Sequence, residues 1–127
     1  MASLPARRWF ALYTNLNSQG CRDEEWTLDK PEDVYRIAFV GDSFAYGWGI
    51  EVPADRFTDI IQSRFGALGT PVQVMNVAKP GWSTANQIQP IVDMLDLYDV
   101  GEIVLCYVPN DIADYIASGA DFDPRLP

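Results

Sequence analysis

Three short apolar runs, each ended by a polar or glycine-containing loop, constrain the fold of this chain most. They cover residues 34–40, 72–77 and 102–108. All three are rich in β-branched and aromatic side chains, as is typical of strands covered on both faces. The segments between the runs are long enough for helices. Strand, helix, strand, helix and strand in this order predict right-handed crossovers and a parallel sheet with helices on its faces.

Both intervening segments show helical periodicity. The first predicted helix has Asp55 as its N-cap and ends at Gly69. Its apolar side chains recur at helical spacing: Phe57, Ile60, Ile61, Phe65 and Leu68. The second helix is predicted from a similar apolar stripe, formed by Ile88, Ile91, Val92, Leu95 and Tyr98. Pro90 interrupts this stripe, and a proline inside a helix removes a backbone hydrogen bond.

The chain suits one domain preceded by an arm. Its 127 residues are enough for a single hydrophobic core. A content of 48% hydrophobic and 21% charged residues is typical of a folded globular protein. Residues 1–33 show no clear period and are predicted to form an N-terminal arm, in which the acidic residues around Asp23 are expected to be solvated. Residues 34–127 are predicted to hold the α/β domain.

Charge and composition exclude several classes of partner. The chain has 18 acidic and 9 basic residues, and its net charge of -9 disfavours nucleic acid and anionic membranes. No apolar run is long enough to cross a bilayer, and no signal peptide is recognised, so the sequence as written predicts a cytoplasmic protein. Cys21 and Cys106 lack metal-ligand spacing and are predicted to be reduced thiols. Because histidine, the commonest zinc ligand, is absent, a catalytic zinc site is not expected. No cofactor is expected either.

Polar residues follow each predicted strand. The carboxyl ends of parallel strands share one edge of the sheet, where ligands bind in open α/β folds. Ser43 follows the first strand, Gly81 lies in the loop after the second, and Asn110 follows the third. A hydroxyl and neutral hydrogen-bond donors are the groups that acyl transfer needs. Each residue, taken alone, is also a common turn or cap residue.

The loop after the first predicted strand carries further candidates. Trp48 there, and Trp82 after the second strand, are candidates for binding substrate, but core packing is the favoured interpretation of both. Asp42 is expected to hydrogen-bond loop amides rather than to act as a catalytic acid. The glycines of this loop do not form a dinucleotide-binding fingerprint, so nucleotide binding is disfavoured.

These segments resemble those of a known family, the SGNH or GDSL-type serine hydrolases. The family's first three sequence blocks are similar to FVGDSFAYGWG, NVAKPGWST and YVPND, and the resemblance runs from about residue 15 to residue 112. Segments like NSQGCRDEEW precede the first strand in some members. The resemblance implies a three-layer αβα, flavodoxin-like fold and an esterase activity. It also implies that Ser43 is the nucleophile, and that the oxyanion hole consists of the Ser43 and Gly81 amides and the Asn110 side chain.

The chain departs from the family at two points. Val108 stands where the family usually has glycine. The fourth block, an Asp-x-x-His that supplies the catalytic base, has no counterpart here. A flavodoxin-like sheet also needs about two further strands. We therefore expect the chain to be the N-terminal part of an SGNH hydrolase, or a shortened relative. Alone, it is expected to be nearly inactive. The expected substrates are carboxylic esters or the O-acetyl groups of sugars and lipids.

Two alternatives remain open. The chain could be a non-catalytic SGNH-like binding or assembly module, because three parallel strands leave an open sheet edge that a second copy or another polypeptide would cover. It could also be a small flavodoxin-like domain that binds a phosphorylated ligand at its glycine-rich loop.

Overall fold

Strands and helices alternate in the computed structural model of this chain, which describes residues 16–81 and 84–107. The strands are β1 (Tyr35–Gly41), β2 (Val72–Ala78) and β3 (Glu102–Leu105). The helices are α1 (Ser43–Tyr46), α2 (Phe57–Ala67) and α3 (Thr84–Tyr98), and a 3₁₀ turn covers Pro53–Asp55. The predicted strands are therefore present. The third is shorter than predicted and ends at Leu105, and Val108 lies outside the described residues.

The described strands form one parallel sheet in the order β2-β1-β3. Val40 of the central strand pairs with Val77 on one side and with Leu105 on the other. Each crossover contains a helix, as parallel neighbours require. The predicted α/β class and parallel sheet are thus confirmed for this part of the chain.

The main hydrophobic core lies between the sheet and α3. Alternate residues of β1 and β2 face α3, and the core includes Ala38, Val40, Met75, Val77, Tyr98, Cys21 and Trp26. Ile91 and Met94 of α3 pack against this cluster, and the helix continues through Pro90. The ring of Trp26 meets that of Tyr98 edge-on at 5.8 Å between centroids. The segment before β1 therefore contributes two side chains to the core.

Helix α2 lies on the opposite face of the sheet. Its Thr58 Oγ1 accepts a hydrogen bond of 3.0 Å from Asn76, whose side chain points away from that of Met75. The predicted N-cap, Asp55, was wrong, because Asp55 belongs to the 3₁₀ turn and Arg56 occupies the cap position. Arg56 instead pairs with Asp59 of the first helical turn at 2.7 Å.

The outer edge of β2 is closed by side chains. Gln62 of α2 donates to the Val72 carbonyl at 2.8 Å and accepts from the Val74 amide at 2.7 Å. The next outward amide, that of Asn76, donates to the Asp23 carboxylate at 2.8 Å. Asp23 is therefore half-buried and bonded to the sheet, so the expectation that it is solvated was wrong.

The described residues also bear on the cysteines, on membrane spans and on metal sites. Cys21 and Cys106 are both free thiols, as predicted. Within residues 16–81 and 84–107, no helix is long and apolar enough to cross a membrane. The same residues contain no group of three or more acidic or cysteine side chains that could hold a metal ion.

Candidate active site

Ser43 is the first residue of a one-turn helix that begins where the central strand ends. Asp42 is the N-cap of α1, and its buried side chain accepts a hydrogen bond of 2.9 Å from the Phe44 amide. An aspartate at this position satisfies an amide that the helix itself cannot. Asp42 therefore binds a backbone amide, as predicted, but this amide belongs to α1 rather than to a loop. The Ser43 side chain is half-buried at the carboxyl edge of the sheet.

Gly41 lets α1 lie close to the strand ends. A Cβ atom at this position would lie 2.7 Å from the Ala45 Cβ and 3.0 Å from the Cys106 Cβ. Any larger residue would push α1, and Ser43 with it, away from the sheet. The glycine is therefore required by the close approach of α1 and the residue after β3.

Asn76 of β2 attaches α1 to the sheet. Its buried side chain donates a hydrogen bond of 2.8 Å to the Ala45 carbonyl of α1, and its Oδ1 accepts one of 3.2 Å from the Ala78 amide. Buried polar groups with satisfied hydrogen bonds fix a single arrangement of the elements they join. The role of Asn76 was not predicted from the sequence. The available signal was a short polar side chain near the end of the apolar run VQVMNV.

Gly81 lies at the same edge of the sheet as Ser43. Gly41 and Ala78 pair at the ends of β1 and β2, and the Lys79 amide donates to the Gly41 carbonyl at 3.2 Å. Gly81 follows in an exposed turn with φ of +79°, a left-handed conformation that glycine adopts without steric cost. The loops that carry Ser43 and Gly81 therefore begin side by side at this edge of the sheet. The other two predicted site residues, Asn110 and Trp82, lie outside the described residues.

Two exposed aromatic residues follow Ser43 in the chain. Trp48 is 57% exposed, whereas neighbouring Tyr46 is buried and lies 6.4 Å from it between ring centroids. Phe44, directly after Ser43, is 75% exposed. Sequence reasoning did not single out Phe44, because one apolar residue in an apolar stretch gives no sign of which way it faces. The core packing expected for Trp48 was therefore wrong, and Phe44 and Trp48 are exposed aromatic residues close to Ser43 in the chain.

The two thiols near the sheet edge are poor nucleophiles. Burial raises the pKa of Cys106, and the negative charge of Asp42 raises it further. Burial also raises the pKa of Cys21 to about 11, although Lys79 opposes this shift. Both cysteines are therefore protonated at neutral pH, when the reactive thiolate form is needed for attack.

The arrangement combines a hydroxyl with backbone amides at the open edge of a parallel sheet. A serine is a weak nucleophile unless a base takes its proton, and this chain contains no histidine to do so.

Comparison of the chain with protein-family models, with curated proteins and with solved structures returned no match. The functional assignment therefore rests on the residues of this chain.

Proposed function

We propose that Ser43 is the nucleophile of an ester hydrolase of the SGNH or GDSL type, and that this chain supplies part of its oxyanion hole. The supporting observation is the position of Ser43. It begins α1 at the end of the central strand, beside the loop that carries Gly81. The strand order β2-β1-β3 also agrees with the first three strands of the flavodoxin-like order, 2-1-3-4-5, which supports the finer fold assignment.

In this reaction the Ser43 Oγ attacks the carbonyl carbon of an ester. The carbonyl π electrons move to oxygen, where the Ser43 and Gly81 amides and the Asn110 side chain stabilise the negative charge. The hydroxyl proton passes to a base. When the carbonyl re-forms, the bond between the carbonyl carbon and the alkoxy oxygen breaks, and the base returns the proton to the departing alcohol. Water then hydrolyses the acyl group from Ser43. The substrates are carboxylic esters, or the O-acetyl groups of sugars or lipids.

The base must come from outside these 127 residues if it is a histidine. Enzymes of this kind that lose one member of the catalytic triad retain a rate of about 10³–10⁴ over water, from binding and the oxyanion hole. We therefore expect the chain alone to be nearly inert, and to be activated by a polypeptide that carries an Asp-x-x-His segment.

Labelling with a fluorophosphonate probe at neutral pH tests the proposal. We expect negligible labelling of the chain alone. Added imidazole, as a diffusible base, should increase labelling of Ser43 by about tenfold, below the 10²–10⁴ typical of a positioned base. Ser63, exposed on α2, is the internal control that should stay unlabelled. Equal labelling of Ser43 and Ser63 with imidazole would refute the proposal, as would rapid stoichiometric labelling of Ser43 without it.

A second candidate function is a non-catalytic assembly module. Among the described residues β3 forms an outer edge of the sheet, and Leu105 and Tyr107 near it are 46% and 53% exposed. By contrast, Gln62 and Asp23 close the β2 edge. Natural proteins usually pair or cover an apolar edge strand. Sedimentation over a range of concentrations should then show a dimer, or a complex with a second polypeptide, and a monodisperse monomer that binds no other chain would exclude this function.

A further inference from the structure

The segment before β1 is organised by its own side chains into a closed loop. The Asn17 Oδ1 accepts hydrogen bonds from the Gln19 and Cys21 amides, at 3.1 Å and 3.0 Å. Ser18 donates to the Glu25 carboxylate from both its amide and its hydroxyl, at 2.7 Å each. These contacts fix the backbone on both sides of Arg22.

Arg22 extends from this loop to the far end of the Ser43 helix. Arg22 is 2% exposed, and its guanidinium donates to three carbonyls. The acceptors are Gly47 at 2.8 Å, Ile50 at 2.5 Å and Glu51 at 3.3 Å. The guanidinium also lies 5.8 Å from the centre of the Tyr46 ring, within the range of a cation–π contact.

A second buried arginine fixes the same junction. Arg56 Nη1 donates to the carbonyls of Arg22 at 2.5 Å and Tyr46 at 3.4 Å. Gly47, which ends α1 with φ of +79°, has no space for a side chain, because a Cβ would lie 2.6 Å from the Arg56 Cδ. The end of α1 is therefore enclosed by the two arginines.

A four-residue helix is not stable by itself, because one turn does not repay its nucleation cost. The position of Ser43 must be set from outside α1. Asp42 holds the start of α1, Asn76 holds its middle, and the carbonyls that follow it are held by Arg22. An arginine suits this task because its planar fork can donate to several acceptors at once.

We propose that Arg22 is a positioning residue for Ser43, which holds the turn at residues 47–51 so that the Ser43 hydroxyl and amide keep the geometry that acyl transfer needs. This role rests on the proposed function of Ser43, but the placement of the turn can be measured without any activity. Arg22 would then couple the segment before β1 to the candidate nucleophile.

The test compares Arg22→Ala and Arg22→Lys with a matched control, Arg36→Ala. Arg36 is equally buried but donates at the opposite end of β1, to the Tyr98 carbonyl at 2.7 Å. The first measurement is amide hydrogen exchange resolved by peptide. Loss of several hydrogen bonds to a charged donor should speed exchange in residues 43–51 by at least about tenfold in Arg22→Ala. Arg36→Ala should leave this peptide unchanged relative to the rest of the chain.

The second measurement uses a thiol reporter, Ser43→Cys, and the pH profile of its alkylation by iodoacetamide. Cys21 and Cys106 give little background because their pKa values are raised. Arg22→Ala removes the positive charge held at the carbonyls of residues 47–51, and this should raise the midpoint of the profile by about half a pH unit. Guanidinium ion added to Arg22→Ala should restore both measurements, and Arg22→Lys should restore the midpoint but not the exchange protection.

Three results would overturn the proposal. One is the same exchange pattern in Arg22→Ala and Arg36→Ala, which would mean that both arginines act only on global stability. Another is an unchanged alkylation profile in Arg22→Ala. The third result applies if Arg22→Ala does not fold: exchange protection of residues 43–51 in Arg22→Lys that is the same as in the unaltered protein. Faster exchange in residues 43–51 of Arg22→Ala, together with equal fluorophosphonate labelling of Ser43 and Ser63 in the presence of imidazole, would refute the proposed function and leave the role of Arg22 in the turn intact.

Discussion

Replacement of Asn76 by alanine should destabilise the protein strongly. The Asn76 side chain makes three buried hydrogen bonds: to the Ala45 carbonyl, to the Thr58 hydroxyl and from the Ala78 amide. Each contributes about 1 kcal/mol net, and the main-chain groups left unpaired add to the cost. We therefore expect the free energy of unfolding to fall by about 3–5 kcal/mol. For a domain with a total of about 5–15 kcal/mol, this loss brings it close to unfolding.

Urea unfolding followed by tryptophan fluorescence measures this change. A lower midpoint with an unchanged slope would show a loss of stability rather than a change in compactness. The control is Gln89→Ala, which removes an exposed hydrogen bond of 2.8 Å to Asp93 and should change stability by less than about 0.5 kcal/mol. A loss below about 1 kcal/mol for Asn76→Ala would refute the role of Asn76 as the anchor of α1.

Asn76→Asp separates the hydrogen bonds from the volume of the side chain. The carboxylate keeps an acceptor for the Ala78 amide but places a negative charge against the Ala45 carbonyl. Burial would raise the pKa of the introduced carboxyl, so this variant should lose stability as pH rises, whereas Asn76→Ala should not show that dependence. Parallel pH profiles for the two variants would contradict this reasoning.

Three further predictions concern the cap, a buried thiol and a buried carboxylate. Asp42→Ala should cost about 1 kcal/mol of unfolding free energy in urea titrations, whereas Asp42→Asn, which keeps an acceptor for the Phe44 amide, should cost less than half as much; equal losses would exclude the cap as the cause. Cys21, with a pKa of about 11, should resist iodoacetamide in the native protein at mildly alkaline pH and react in urea, as peptide mass spectrometry would detect. Burial raises the pKa of Asp23, although the hydrogen bonds to its carboxylate lower it in part. The folded state therefore binds the carboxyl proton of Asp23 more tightly than the unfolded state does. The unfolding free energy of the protein relative to Asp23→Asn should therefore fall as pH rises from about 3.9 through the raised folded pKa, and a rise would contradict the shift.

The sheet could be predicted from the sequence because its signals are local. Apolar runs mark the strands, and helical stripes between them require parallel pairing. The position of Ser43 follows from the same pattern, since it comes directly after the central strand. The cap at Asp42 is equally local, because its acceptor and donor lie two residues apart.

The side chains that fix the site could not be predicted in the same way. Arg22 meets the Gly47 carbonyl 25 residues further along the chain, and Asn76 meets the Ala45 carbonyl 31 residues back. In an aperiodic polar segment, a buried arginine and a solvated one look alike. Asp23 was assigned to the surface for this reason, although it bonds to the edge of β2. Asp55 was misassigned as a cap because Pro53 starts a 3₁₀ turn before α2.

The most direct test of Ser43 as a nucleophile is to trap its acyl adduct. The chain is incubated with an activated acetyl ester and imidazole at neutral pH, and the acetylated peptides are mapped by mass spectrometry. Because imidazole promotes background acetylation of every exposed hydroxyl, the ratio of acetyl on Ser43 to acetyl on Ser63 is the quantity that matters. If Ser43 lies in an oxyanion-stabilising site, the ratio of acetyl on Ser43 to acetyl on Ser63 should be greater than about 10. A ratio near one, with acetyl groups mainly on lysines, would contradict the assignment of Ser43 as the nucleophile.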